Sequence, residues 1–173
     1  MALRKTKFAS LVALALGTAL IASGPVSAQG FKPGDDTIAE IASSGGFDTL
    51  VQALGCTDLV GAVADPEAEL TVFAPSDEAF ATAGLTPDNI CGAFPTETLK
   101  TILLYHVVGE RRPSPSVVRG KNKSITMLAG GSIFPSGRGS LTINANNSSV
   151  NIVTPDILAS NGIIHVIDFV LLP

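Results

Sequence analysis

The hydrophobic periodicity of this chain first changes character around Pro66, and that change limits the fold more than any other feature. Before it the spacing is helical. Phe47, Leu50, Val51 and Leu54 recur at i, i+3, i+4 and i+7, one face of an amphipathic helix. Ile38 and Ile41 are the apolar positions of an earlier helix, which Asp35 or Asp36 can cap and Gly45-Gly46 stops. Thr57 or Asp58 opens a third short helix through Val63. After Pro66, Leu70-Thr71-Val72-Phe73-Ala74 reads as a buried strand closed by Pro75. Ser76 is a natural N-cap for the next turn, which Phe80 anchors. Asp77 and Glu78 stand where a helix start favours negative charge. Gly84 to Pro95 is turn-rich, and Thr96 opens a helix with Leu99, Ile102, Leu103 and His106 on one face.

From Val107 on, the pattern is mostly β. Ser116-Val117-Val118, Ser124 to Leu128, Ser132 to Phe134, Leu141 to Asn144 and Val150 to Val153 read as short strands between Gly, Ser and Asn turns. Ser136-Gly137-Arg138-Gly139-Ser140 reads as a hairpin turn. Thr154 or Asp156 opens a helical turn through Ala159, Asn161-Gly162 is a tight turn, and Ile163 to Leu172 is the last strand. Helices first and strands later give an α+β domain. Short antiparallel strands must bury one face against a second layer, so a β-sandwich or wedge with a helical flank is the expected packing.

The amino terminus sets the compartment. Arg4, Lys5 and Lys7 precede an uncharged, mostly apolar run from Phe8 to Ile21, then Gly24-Pro25 and a Val26-Ser27-Ala28 cleavage site. That is the layout of a secretory signal peptide, residues 1–28. Its apolar run is shorter than the roughly 20 residues a membrane span needs. Residues 29–34 are a short lead-in, and residues 35–173 form one domain. Without the leader, eight basic residues face 15 acidic ones, a net charge of −7. Such a chain is poorly suited to nucleic acid or anionic membranes. The expected location is extracellular or periplasmic, with no membrane span in the mature chain. An even pair of cysteines in an exported chain, Cys56 and Cys91, favours one disulfide.

No residue set points to catalysis. There is no G-x-S-x-G elbow, no Walker loop and no dinucleotide fingerprint. Neither of the two histidines lies at metal-ligand spacing from a cysteine, so no metal is expected. His106 and His165 both sit on apolar faces. Each reads either as a core histidine bonded internally, with Asp77 or Ser76 as the expected partner of His106, or as a contact residue. Asp168 reads as a structural or edge position. Arg111, Arg112, Arg119, Lys121 and Lys123 place five of the eight remaining basic residues within one segment, which Pro113 and Pro115 should keep extended. That segment is either a solvated loop or a patch for an acidic polysaccharide or protein.

Three segments then carry a resemblance. Thr71-Val72-Phe73-Ala74-Pro75-Ser76-Asp77-Glu78-Ala79-Phe80, Leu104-Tyr105-His106-Val107-Val108, and Ser160-Asn161-Gly162-Ile163-Ile164-His165-Val166-Ile167-Asp168 resemble the boxes of the fasciclin (FAS1) family in their order. The resemblance runs from about Asp36 to Pro173 and implies a wedge-shaped β-sandwich flanked by α-helices. It implies a non-enzymatic adhesion or protein-interaction module meeting a cell-surface or extracellular protein or polysaccharide, without cofactor. Tyr105 and His106 match the family motif linked to receptor binding. Another branch of the family binds carotenoids, so an alternative reading is a secreted, water-soluble carrier of such an apolar molecule.

Overall fold

The computed structural model describes residues 34–119, 124–137, 141–145 and 148–173. At residues 118–119, 136–137, 141–145 and 148 only the backbone is considered. The expected signal peptide, residues 1–28, lies outside the described residues, as does most of the lead-in.

Three helices open the domain: α1 (Ile38–Ser44), α2 (Asp48–Cys56) and α3 (Val60–Ala64). The cap of α1 is Thr37, not Asp35 or Asp36. The Glu40 backbone N–H donates to the Thr37 hydroxyl, and the Glu40 carboxylate accepts from the Thr37 backbone N–H at 2.7 Å. This reciprocal pair is a capping box, and its T-x-x-E signature was present in the sequence. α3 starts at Val60, later than Thr57 or Asp58, because Asp58 takes a left-handed backbone with φ 56°. α2 has no cap of its own, since Phe47 stands at that position. Its first amides instead reach across the fold. Asp48 N–H and Thr49 N–H donate to the two carboxylate oxygens of Asp77, at 3.2 and 3.0 Å.

Strand β1 (Leu70–Pro75) leads into α4 (Asp77–Thr82), capped as expected by Ser76, whose hydroxyl accepts from Ala79 N–H. The turn-rich stretch contains one helical turn, α5 (Ile90–Ala93), and α6 (Thr96–Leu104) follows. A disulfide joins Cys56 at the end of α2 to Cys91 in α5, with the Cα atoms 5.8 Å apart. Next come β2 (Val107–Val108) and α7 (Ser114–Arg119). α7 replaces both the strand expected at Ser116–Val118 and the extended segment expected around Pro113 and Pro115. Ser116 and Val117 N–H donate to the Pro113 carbonyl, and Pro115 sits in the first turn, where its missing N–H costs nothing.

The remaining strands are β3 (Ile125–Thr126), β4 (Ser132–Gly137), β5 (Leu141–Ala145), β6 (Ser148–Ala159) and β7 (Gly162–Ile167). Gly137 pairs with Leu141 across the expected hairpin. The helical turn expected at Thr154–Ala159 is strand instead. β6 runs through it with register shifts between Ile152 and Thr154 and between Thr154 and Ile157. Those bulges absorb Pro155, which has no N–H to give a ladder, and Asp156, whose φ is 57°.

Among the described residues the strand order is β2-β1-β7-β6-β5-β4-β3. Every pairing is antiparallel except β1 with β7, where Leu70 to Pro75 run parallel beside Gly162 to Ile167. The two ends of this order approach each other: Leu128 N–H, just after β3, donates to the Val107 carbonyl of β2 at 2.8 Å. The sheet thus folds around one core, where Phe73, Val108 and Ile167 meet Ile133, Val150 and Ile152. The opposite face of β1 and β7 presents Val72, Ala74 and Ile164 to a second core built with α1, α2 and α6. Strand alternation sorts neighbouring residues between the two cores.

Asp77→Ala should remove the two acceptors at the start of α2 and lower stability by about 1–2 kcal/mol in urea unfolding, while Glu78→Ala changes it little. The paired Cys56→Ser, Cys91→Ser variant should lose about 3–4 kcal/mol.

Candidate functional site

The Tyr-His motif ends α6 and enters β2, and the fold takes both side chains inside. Tyr105 and His106 are 1% and 3% exposed, so neither lies on the surface a partner meets. Tyr105 packs into the sheet-enclosed core, and its hydroxyl donates to the Ser132 carbonyl at 3.4 Å. Burial raises its pKa. Gly131 gives the ring its space, because a Cβ there would stand 2.0 Å from Tyr105 Cε2.

His106 does not meet Asp77 or Ser76. Its Nδ1–H donates to the Ile102 carbonyl at 2.7 Å, and its Nε2 accepts from Leu171 N–H at 2.9 Å. The two partners define a neutral ring. It bonds the end of α6 to the carboxyl-terminal tail. Burial lowers its pKa to about 4 against a smaller opposing effect of the Ile102 bond.

His165 on β7 repeats the device with the other tautomer. Its Nε2–H donates to the Arg112 carbonyl at 2.8 Å, and its Nδ1 accepts from Asp156 N–H at 3.2 Å. Burial lowers its pKa too, partly opposed by the Arg112 bond and the Asp156 charge. The Asp156 carboxylate accepts from Ser114 N–H at 2.7 Å and from the Ser114 hydroxyl. A chain of bonds thus runs from β7 through the bulge of β6 to the first residue of α7. Asp168 is structural, accepting from the Asn151 backbone and side-chain amides.

The basic residues divide. The Arg111 guanidinium donates to the Ala159 and Ser160 carbonyls and stands 3.9 Å from Glu69. The Arg112 N–H donates to the Thr71 hydroxyl, and its side chain pairs with Glu110. Both arginines therefore serve the fold. Arg119 is the last residue of α7, and only its backbone is considered; Lys121 and Lys123 lie outside the described residues.

Sequence reasoning missed a buried polar side chain that joins distant parts of the fold. Asn161 is fully buried, and its Oδ1 accepts from Ile38 N–H at 2.9 Å. Its Nδ2 donates to the carbonyls of Val63 and Asp65, at 2.9 and 2.8 Å. The residue does stand in the expected turn. The signal that it does more is its neighbour. A Cβ on Gly162 would lie 2.3 Å from the Leu70 carbonyl oxygen, so the turn is pressed against β1.

No grouping of His, Cys, Asp and Glu among the described residues could hold a metal ion, and no helix there is long and apolar enough to cross a membrane. Two apolar cavities, of about 160 and 90 Å³, flank α6. Both fall below the roughly 300–1,000 Å³ of pockets that enclose drug-sized ligands. Neither offers room for a carotenoid.

The family model for the fasciclin domain matches residues 45–173. The chain belongs to the fasciclin domain family. Protein sll1483 of Synechocystis sp. is 34% identical over 189 residues, covering 99% of this chain and 97% of that protein. A second Synechocystis protein, sll1735, is 36% identical over 137 residues, covering 78% of this chain and 96% of the other. Fasciclin-1 of Schistocerca americana is 29% identical over 110 residues, which is 60% of this chain and 16% of that protein. The solved structure of a FAS1 domain pair from the insect cell adhesion molecule fasciclin I superposes with a TM-score of 0.67 at 20% identity. It covers 80% of this chain and 51% of that one. The expected fold class, helices flanking the sheet, is that of the insect domains. Fasciclin domains are non-catalytic adhesion modules, and the Tyr-His motif of this one is part of its interior.

The two histidines fix a pH dependence. A ring that resists protonation in the fold takes up a proton more readily when unfolded. Stability should therefore be full above about pH 6.5 and fall as pH drops toward 4. For His106 the loss amounts to about 3 kcal/mol. Unfolding midpoints measured from pH 7.5 to 4 should show this slope, and His106→Gln should flatten it. Gly131→Ala should cost about 1–3 kcal/mol by overpacking Tyr105.

Proposed function

We propose that this fasciclin domain is an exported, non-catalytic adhesion module that binds acidic polysaccharide through the segment that follows the Tyr-His motif. The leader-like residues 1–28 support export. Family membership supports adhesion, since fasciclin I of insects is a cell adhesion molecule. One observation carries the choice of surface. Arg119, Lys121 and Lys123 gather in an otherwise acidic chain, at and just beyond the end of a helix anchored at its base. Asp156 holds Ser114, and His165 holds Arg112. Arg111 and Arg112 secure the start of the segment, so the proposal rests on the three remaining charges, Arg119, Lys121 and Lys123.

This division of labour makes the reading specific. Binding through Arg119, Lys121 and Lys123 is electrostatic, and exposed charges are screened beyond about 8 Å at physiological ionic strength. A carotenoid carrier is not proposed: the two apolar cavities flanking α6, of about 160 and 90 Å³, give it no support.

On an immobilised sulfated or uronic-acid polysaccharide, the purified protein should be retained at low salt and released by about 0.5 M NaCl, where the screening length has fallen to a few ångströms. The triple variant Arg119→Ala, Lys121→Ala, Lys123→Ala should keep its unfolding midpoint and lose retention. Retention that ignores salt, or a triple variant that still binds, would sink the proposal.

A further inference from the structure

The larger cavity lies between α6, the carboxyl-terminal tail and the segment around α5. Its walls include Leu50, Phe80, Leu99, Leu103 and Phe169, and its volume is about 160 Å³. His106 also lines it, yet both ring nitrogens are committed, one to the Ile102 carbonyl and one to Leu171 N–H. A water needs two to four polar partners to be held, and this ring offers none. The lining is thus almost wholly apolar. Cavities of about 150 Å³ lined by Leu, Ile and Phe stay dry and take benzene or xenon. Size and lining match that case.

The wall formed by residues 84–95 differs from the others. Its hydrogen bonds are local: Gly84 N–H to Ala81, Leu85 N–H to Phe80, Ile90 N–H to Thr86, Ala93 N–H to Asn89. The Asn89 side chain closes the loop on itself, accepting from Thr86 N–H and donating to the Gly84 carbonyl. Among the described residues, it is tied to the rest of the fold by the Cys56–Cys91 disulfide, by Gln52 against the Cys91 sulfur, and by buried apolar side chains such as Ile90. Ile90 is itself a wall of the cavity. Among the described residues, opening this segment breaks no ladder and no long-range backbone–backbone bond. The disulfide limits how far it can swing.

We propose that this cavity is a binding site for a small apolar molecule of about benzene size, and that residues 84–95 are its disulfide-tethered door. The site is separate from the basic segment and does not depend on it.

Benzene is the probe. Titrated into the full chain, it should raise the unfolding temperature saturably. Two variants fill the space from opposite sides. Leu103→Phe adds volume from α6, and Ala83→Leu adds it at the rim, where a folding defect is not expected. Each should weaken benzene binding at least tenfold. The door is tested by benzene exchange rates from NMR before and after treatment with a dithiol reductant. The dithiol is oxidised to its own disulfide, and Cys56 and Cys91 take up its two electrons and two protons as thiols. Exchange should then accelerate at least tenfold. The absence of a saturable shift overturns the site. An undiminished shift in both variants places benzene elsewhere and overturns it too. An unchanged exchange rate after reduction overturns the door.

Discussion

The parallel contact between β1 and β7 organises this domain. It sets the segment Leu70–Pro75 beside Gly162–Ile167, two stretches with most of the described chain between them. Both strands are buried on both faces, so each contributes to two cores at once. Asn161 and Gly162 lock the start of the contact. The glycine lets the backbone press against the Leu70 carbonyl, and the asparagine side chain bonds α1 and α3 to the same corner. The far end of β1 delivers Ser76 and Asp77, which cap α4 and α2. A shift of one residue in this pairing would exchange the two core faces and misplace both caps.

Buried polar groups in this protein act as fasteners. His106, His165 and Asn161 are each neutral, and each joins segments distant in sequence. Neutrality matters, because a buried charge without a partner is costly and a satisfied neutral group is not. The same rule explains why the Tyr-His motif looks functional when read as sequence and turns out to be internal. Residue types that could bind a partner are the same ones that can bond three backbone segments. Burial decides between the two uses, and burial here follows from the α6–β2 junction lying between the cores.

Much of the fold was legible in the sequence. The apolar periods of α2 and α6, the strand character of β1 and β7, and the Ser76 cap follow from local chemistry. The misreadings have local causes as well. Thr154-Pro155-Asp156 carries the residue types of a helix start, and the long strand accommodates them only through bulges set by its pairing with β7. The two valines of α7 favour a strand in isolation, but Pro113 and Pro115 around Ser114 impose a helical first turn. The caps that cross the fold could not be read at all. Asp77 serves α2 rather than α4 alone, and that depends on where two distant elements meet. The same holds for the candidate site. The sequence located the basic segment but gave no hint of the Asp156–His165 anchor beneath it, because those residues are brought together only by the sheet.

The β1–β7 contact also bears on when folding can finish. Leu70 meets Gly162, and Pro75 meets Ile167, so one side of β1 has no neighbour until nearly all of the described chain exists. Contacts this far apart in sequence form late, after a long loop has been closed. The amino-terminal helices can gather beforehand, but neither core is complete without β7. The last-made strand is therefore the one on which both cores wait.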